Sequence, residues 1–538
     1  MRRFVVISTL LLPFGLHAET FTVDTSSDAS LSACTAAAAD CSLRGALGRA
    51  NANADADVIA FALPTTDAGY QAATDHWLIG VGDVALPPVL AQVLIDGYTQ
   101  SGASPNTQTP VQGGLNGTLK IEIRGVSQFR TQQNGLEVSG NEFNQPASTF
   151  RGLVINSFGA QVLFHGSSAH RLEGCYLGTD IQGQLPAIPG NNGRGLGVRI
   201  QGPGPYVIGG VTPGARNLLS GLSTAISAFS GSDGLRIEGN LIGLRATGDL
   251  ALDNATDGIS TSSPLTNARI GGGDPAARNV LSGNRFSALR LASAGTNPYA
   301  GTRIEGNFFG TDVSGLRAIG NGLNPQSPSQ PQPTLLIGGG LDCSIAIGGT
   351  APGQANLIAH GGGAGLTADA CTGVASPLNH FRANRGIAFD NTFGGGGLGA
   401  TPNDAGDADE GGNRLQNFAV LSLPGGFLPA GGNSVQIGLL VDTAIASAGY
   451  PLRVDFYRAA CGGGSRQFLG STSIAAMDAQ LPRSFTLTPP DGGNVLPLTA
   501  LVVDAAGNSS EFTPAQGETI FADGSEDQPA TLAVGRCD

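Results

Sequence analysis

The chain has 538 residues, 83 of them glycine, with only 13% charged residues and a net charge of −13. A single globular core stops growing at roughly 250–300 residues, so this length calls for several domains or a solenoid, and the glycine-rich, charge-poor composition favours the solenoid. The sole lysine, Lys120, the acidic balance and the lack of any basic run exclude nucleic acid and an anionic membrane surface as expected partners.

In chain order, Arg2-Arg3 precedes an apolar run from Phe4 to Leu16 that ends at Ala18, the pattern of a secretory signal peptide over residues 1–18. That run is shorter than the ~20 residues a bilayer requires. No later segment is long and apolar enough either, so no membrane span is expected and the mature protein should be soluble. In an exported chain seven cysteines read as disulfides with one left over. Sequence proximity pairs Cys34 with Cys41, Cys343 with Cys371 and Cys461 with Cys537, leaving Cys175 free. No Cys/His spacing suits zinc.

The segment D-C-S-L-R-G-A-L-G-R-A-N at 40–51 places Leu43, Ala46, Leu47 and Ala50 at helical spacing after Ser42, a capping residue. A short helix here can cover the first coil of a solenoid, and residues 19–63 are assigned to this cap.

Over 64–402 apolar residues come in bursts such as Leu218-Leu219, Val280-Leu281 and Leu357-Ile358 between Gly, Asn, Pro and Asp, which makes short strands and turns. Three cycles are visible between 173 and 360. Gly174, Gly239 and Gly306 are 65 and 67 residues apart, which suggests three coils of about 22 residues per cycle. On that count Glu173, Glu238 and Glu305 lie ~14 Å apart along the axis. Asn217, Asn279 and Asn356 match, as do Asn240 and Asn307, and stacked side-chain ladders are expected of them rather than ligand contacts. Cys175 occupies such a turn position. The rod is expected to fold by itself, since solenoid stability is a sum over neighbouring coils.

The T-F-T-V-D-T segment before C-S-L-R-G-A-L, with A-N-A-N-A-D-A-D-V-I-A-F after it, resembles the CSLREA domain. L-I-D-G-Y-T-Q-S-G, R-G-L-V-I-N-S-F-G and the I-E-G-N-x-x-G-T-D and I-G-G-T-x-P-G-x-x-N cycles resemble the same proteins, as does N-D-A-G-D-A-D-E-G-G-N-R-L-Q-N-F at 403–418. The resemblance implies a secreted, all-β, right-handed parallel β-helix of the pectate-lyase-like fold with an N-terminal capping helix. It departs at Gly45, where the family's glutamate would complete a capping box; the loss should weaken the helix by ~1 kcal/mol.

Residues 403–416 form an acidic junction in which Asp404, Asp407, Asp409, Glu410 and Asn413 fall within ten residues. These are oxygen ligands of the kind calcium takes, so a structural calcium is one reading and a solvated acidic linker the other. From 417 to 515 longer alternating runs appear, with Leu452, Val454 and Phe456 on one side and Arg453 and Asp455 on the other, as in a half-buried antiparallel strand of an immunoglobulin-like sandwich. Residues 516–538 read as a flexible tail.

Nothing in the sequence requires a cofactor or forms a recognised catalytic motif, and His76, His165, His170, His360 and His380 read as isolated surface or turn residues. The expected role is therefore a non-catalytic secreted or cell-surface protein of a Gram-negative bacterium, extracellular or periplasmic. It would bind polysaccharide, cell-surface glycan or matrix along the rod. The alternative is a polysaccharide lyase or glycoside hydrolase using non-repeating acids such as Asp253 and Asp257.

Overall fold

Each apolar burst becomes a short strand that pairs in parallel with its counterpart one coil on. The computed structural model describes residues 18–127, 130–139, 146–188, 194–325, 330–392, 400–422, 434–459, 466–490 and 497–514. The cysteine pair Cys461–Cys537, most of the signal segment and the tail lie outside them.

A coil passes through three faces in turn, as in Val93–Asp96, Ile121–Gly125 and Asn134–Val138. The first face stacks Thr149–Arg151, Arg171–Glu173, Val207–Gly209, Arg236–Glu238, Arg269–Gly271 and Arg303–Glu305. The second stacks Leu153–Asn156, Tyr176–Leu177, Leu218–Leu219, Leu241–Ile242 and Val280–Leu281. The third stacks Ala160–His165, Leu196–Gln201, Ile226–Ala228, Ile259–Thr261 and Leu289–Thr296. Inward residues such as Ile208, Ile237, Ile270 and Ile304 align level by level into one continuous core.

The register corrects the expected repeat. Leu172 pairs with Ile208 and Ile208 with Ile237, so one cycle of 65 residues is two coils, not three. The extra length goes into excursions closed by the bridges Thr179–Pro186, Leu244–Ala251 and Thr311–Ala318. These stack on one another through Ala246 N–H to Gly183 O (2.9 Å) and Val313 N–H to Gly248 O (3.0 Å). Beneath them Tyr176, Leu218, Leu241 and Val280 form a second apolar layer with Ile181, Leu244 and Ala246, so the second face is roofed.

The asparagines stack as expected. Nδ2 of Asn217, Asn240, Asn279, Asn307 and Asn356 donates to Oδ1 of the next member at 3.0–3.1 Å, ending on Asn379. At the other end the backbone N–H of Cys175 donates to Asn217 Oδ1 (2.8 Å). Cys175 is buried and free, and burial pushes its thiol up to about 12. The pairs Cys34–Cys41 and Cys343–Cys371 stand at disulfide distance.

The helix Leu43–Ala50 forms with Ser42 as its cap, whose side chain accepts from Gly45 N–H, and it buries Leu43, Ala46, Leu47 and Ala50. Gly45 is a requirement rather than a weakness: a Cβ there would stand 1.7 Å from the Leu31 carbonyl oxygen, because the segment Ala29–Ser32 crosses the first helical turn.

At the other end two antiparallel three-stranded sheets face each other across a core. One is Val420–Ser422, Val435–Leu440 and Arg483–Leu487; the other is Leu452–Ala459, Arg466–Ile474 and Leu498–Val503. The second sheet is not half-buried as expected. Its other face packs on the last coil, so Asp455 is fully buried and Tyr457, Leu501, Val503 and Phe512 join the rod's core. The junction is likewise not a free linker. Asn413 donates to Val374 O and Ser509 O (3.0 Å each), while Gly373 N–H donates to Asn508 Oδ1 (2.8 Å) and Asn391 N–H to Glu511 Oε1 (2.9 Å). The last coil of the rod is therefore closed by these two sheets.

Candidate functional site

On the first face, strand register carries Arg171 to Val207 and then to Arg236, Arg269 and Arg303, so three exposed arginines stand on consecutive coils. Parallel neighbours are ~4.8 Å apart, close enough for repulsion unless anions intervene. Arg171 Nε meets Glu173 at 2.6 Å, Arg236 Nε meets Glu238 at 3.0 Å and Arg303 Nη1 meets Glu305 at 3.3 Å. Glu238 and Glu305 are buried, so these arginines hold charge that the rod would otherwise leave uncompensated.

Arg269 is different. In the register of those glutamates its strand has Gly271, at φ +81°, where a Cβ would stand 2.2 Å from the Glu305 carbonyl oxygen. No side chain fits there, and Arg269 has no acidic partner among the described residues. The result is an exposed guanidinium between two others, beside a glycine floor that recurs at Gly209 and Gly271 on alternate coils. The sequence signal was present, since an arginine precedes I-E-G-N at 236 and 303 and I-G-G-G at 269, but a cycle read from its isoleucine or glutamate misses it.

The glutamate column lies two coils apart per step, not three, or about 10 Å. It still supplies no acid pair, because each member is bound to its own arginine. Asp253 is held between Arg285 Nε (2.6 Å) and Arg194 Nη1 (3.4 Å). Asp257 is buried, accepts from Ser287 N–H (3.0 Å) and is pushed up to about 6 by burial. His170 accepts from Ser148 N–H (3.0 Å) and stacks near Phe164 and Tyr206; burial pulls it down to about 4. Burial also lowers His360, with Arg382 adding to the effect.

In the junction Asp404, Asp407 and Asp409 can place one carboxylate oxygen each within 4.8 Å of the others. Asp407 Oδ1 accepts from Asn417 N–H (2.8 Å), and Oδ2 accepts from Gln416 Nε2 (2.7 Å) and Thr443 Oγ1 (2.9 Å). Burial raises Asp407 to about 6, with the Asp404 and Asp409 charges acting in the same direction. Oδ1 of Asp404 and Oδ1 of Asp409 are buried without a hydrogen-bond partner. Glu410 is exposed, and the Asn413 amide is used up on Val374 and Ser509, so neither joins the trio.

No family model matches this chain, and no curated protein does. Among solved structures it is similar to ORF18 of Geobacillus virus E2, at 11% identity and a TM-score of 0.29, covering 88% of this chain and 78% of that one. A likeness at that TM-score carries neither fold nor function.

Proposed function

We propose that this chain is an exported rod of the CSLREA type, secreted or displayed on a Gram-negative cell, that binds polysaccharide or cell-surface glycan along its first face. The rod is read as right-handed and the closing sandwich as immunoglobulin-like. The observation that carries the reading is the unroofed Arg236–Arg269–Arg303 column beside glycine gaps on alternate coils. Guanidinium groups offer fixed forks of donors to sugar hydroxyls and carboxylates. The gaps recur about every 10 Å, roughly the length of two sugar units in an extended chain. The roofed second face offers no such access.

A glycan array tests this, with the wild type expected to retain glycans that Arg269→Ala loses at least tenfold. Binding to no glycan, or equal binding by both, overturns it. Incubation with acidic and neutral polysaccharides, followed by assay for new reducing ends or unsaturated sugars, separates binding from the lyase or hydrolase alternative.

The same reading assigns a structural calcium to Asp404, Asp407 and Asp409, supported by the two buried carboxylate oxygens that lack partners. Chelation is expected to speed proteolysis between 400 and 417 in the wild type but not in Asp407→Ala/Asp409→Ala. Equal rates with calcium and with chelator overturn the assignment.

A further inference from the structure

Away from the first face, the hairpin loop before the strand His76–Val81 brings a hydroxyl, an imidazole and a carboxylate into line. Thr74 Oγ1 lies 2.7 Å from His76 Nδ1, and His76 Nε2 lies 2.9 Å from Glu122 Oε2. Glu122 comes from the neighbouring strand Ile121–Gly125, 46 residues on. Thr74 is exposed, whereas His76 and Glu122 are buried.

The state of each group follows from its neighbours. Glu122 Oε1 also accepts from Arg124 Nε (2.9 Å) and Nη2 (2.5 Å) and from Asn156 Nδ2 (2.7 Å). Burial acts to raise Glu122, but the bonds from His76, Asn156 and Arg124 outweigh it and hold the carboxyl below its ordinary range. An ionised carboxylate only accepts, so His76 must carry its proton on Nε2. In the neutral imidazole Nδ1 is then a lone pair, to which the Thr74 hydroxyl donates. That is a hydroxyl held against a base whose far side is fixed by a carboxylate, the arrangement that activates an alcohol for acyl transfer.

The loop is held by an ion pair. Lys120 Nζ donates to the backbone carbonyl of Asp75 (2.6 Å), the residue after Thr74, and to its carboxylate (2.5 Å).

We propose that Thr74, His76 and Glu122 form an esterolytic site for small acyl esters of an alcohol or sugar. Thr74 Oγ bonds to the ester carbonyl carbon as its proton passes to His76 Nδ1, and the carbonyl electron pair moves onto oxygen. Collapse of that adduct breaks the bond to the alcohol oxygen, which takes the proton from His76 and leaves an acyl-Thr74. Water repeats the sequence, releasing the carboxylic acid and restoring Thr74. Thr74 and His76 are the catalytic residues; Glu122 is a positioning residue that sets the tautomer.

The test uses the full chain, p-nitrophenyl acetate and an alkyl fluorophosphonate probe. The wild type is expected to hydrolyse the ester above buffer rate and to carry the phosphonyl group on the Thr74 peptide by mass spectrometry. Thr74→Val, an exposed isosteric change that leaves folding intact, should lose both by at least a hundredfold, and Thr74→Ser should restore both. Glu122→Gln should move the His76 proton between ring nitrogens, read by nitrogen-15 chemical shifts, and shift the pH profile of hydrolysis. No label on Thr74, or equal hydrolysis by the wild type and Thr74→Val, overturns the proposal whatever the glycan array shows.

Discussion

At the N-terminal end of the rod one eight-residue helix covers the first coil, whereas the C-terminal end is covered by six strands in two antiparallel sheets, one of which shares the rod's core. The helix meets strands close to it in sequence, with Cys34–Cys41 fixing the segment that leads into it. The sandwich acts from far away: Asn508 reaches Gly373 across 135 residues, Ser509 reaches Ser376 across 133 and Glu511 reaches Asn391 across 120. Ser376 in turn accepts from Asn379, the last asparagine of the ladder, so the interior column runs on into the seal. A nearby cap costs little loop closure and shows in local periodicity; a distant one shows only when the chain is folded.

The largest expected effect comes from removing the distant seal. A chain ending at Pro402 leaves Phe381, Phe389 and Val374 without their cover and strips the partners from Gly373, Val374, Ser376 and Asn391. Water can reach the freed polar groups, but each uncovered core side chain forfeits burial worth about 1.5–3 kcal/mol, which together approaches the stability of an ordinary domain. The fragment should therefore be insoluble or lack a cooperative melt by circular dichroism. A soluble fragment with a sharp transition would show that the rod closes itself and that the sandwich is an appendage.

The same contrast marks what the sequence discloses. Ser42 capping, the inward stripe of Leu43, Ala46, Leu47 and Ala50, the two described cysteine pairs, free Cys175 and the asparagine ladder all follow from spacing and chemistry within short windows. The coil length does not, because alternate coils carry Glu238 and Gly271 in one register, and a search for identical letters counts only every second coil. Arg269 stands out only once its neighbours are known, and His76 reads as isolated because Glu122 is supplied by another coil.

Gly45→Ala sharpens the comparison at the near seal. Helix propensity alone predicts a gain of about 1 kcal/mol. The Cβ would stand 1.7 Å from Leu31 O, however, and backbone cannot yield as a side chain can. The overlap should win, with a loss of about 3 kcal/mol in denaturant midpoint analysis. A more stable variant would mean that Ala29–Ser32 does not cross the helix closely.

At the distant seal, Asp407 makes stability depend on pH. Its folded value, about 6, lies above the unfolded value of about 3.9. The group therefore contributes fully below the unfolded value, and the contribution is lost as pH rises through about 6. Without calcium this should be worth on the order of 2 kcal/mol between pH 4 and 7. Asp455 and Asp257 are also raised to about 6 and slope the same way. The informative quantity is thus the difference between the wild type and Asp407→Asn, whose slope should be shallower. Parallel pH profiles would place Asp407 in water rather than in the seal.

The smallest effect returns to the helix, three residues past the crowded glycine. Gly48 is exposed, and a Cβ there meets nothing within 4 Å. Nothing in the fold then opposes the intrinsic preference of a helix interior for alanine, which comes largely from the backbone freedom glycine loses on folding. Gly48→Ala should raise stability by about 0.5–1 kcal/mol, a shift in thermal midpoint of a few degrees at most in a chain this long. Gly45→Ala and Gly48→Ala make the same chemical change in the same helix and should move the midpoint in opposite directions. If both stabilise, Leu31 does not constrain the first turn; if both destabilise, the segment is not helical in solution, and the N-terminal seal must be built some other way.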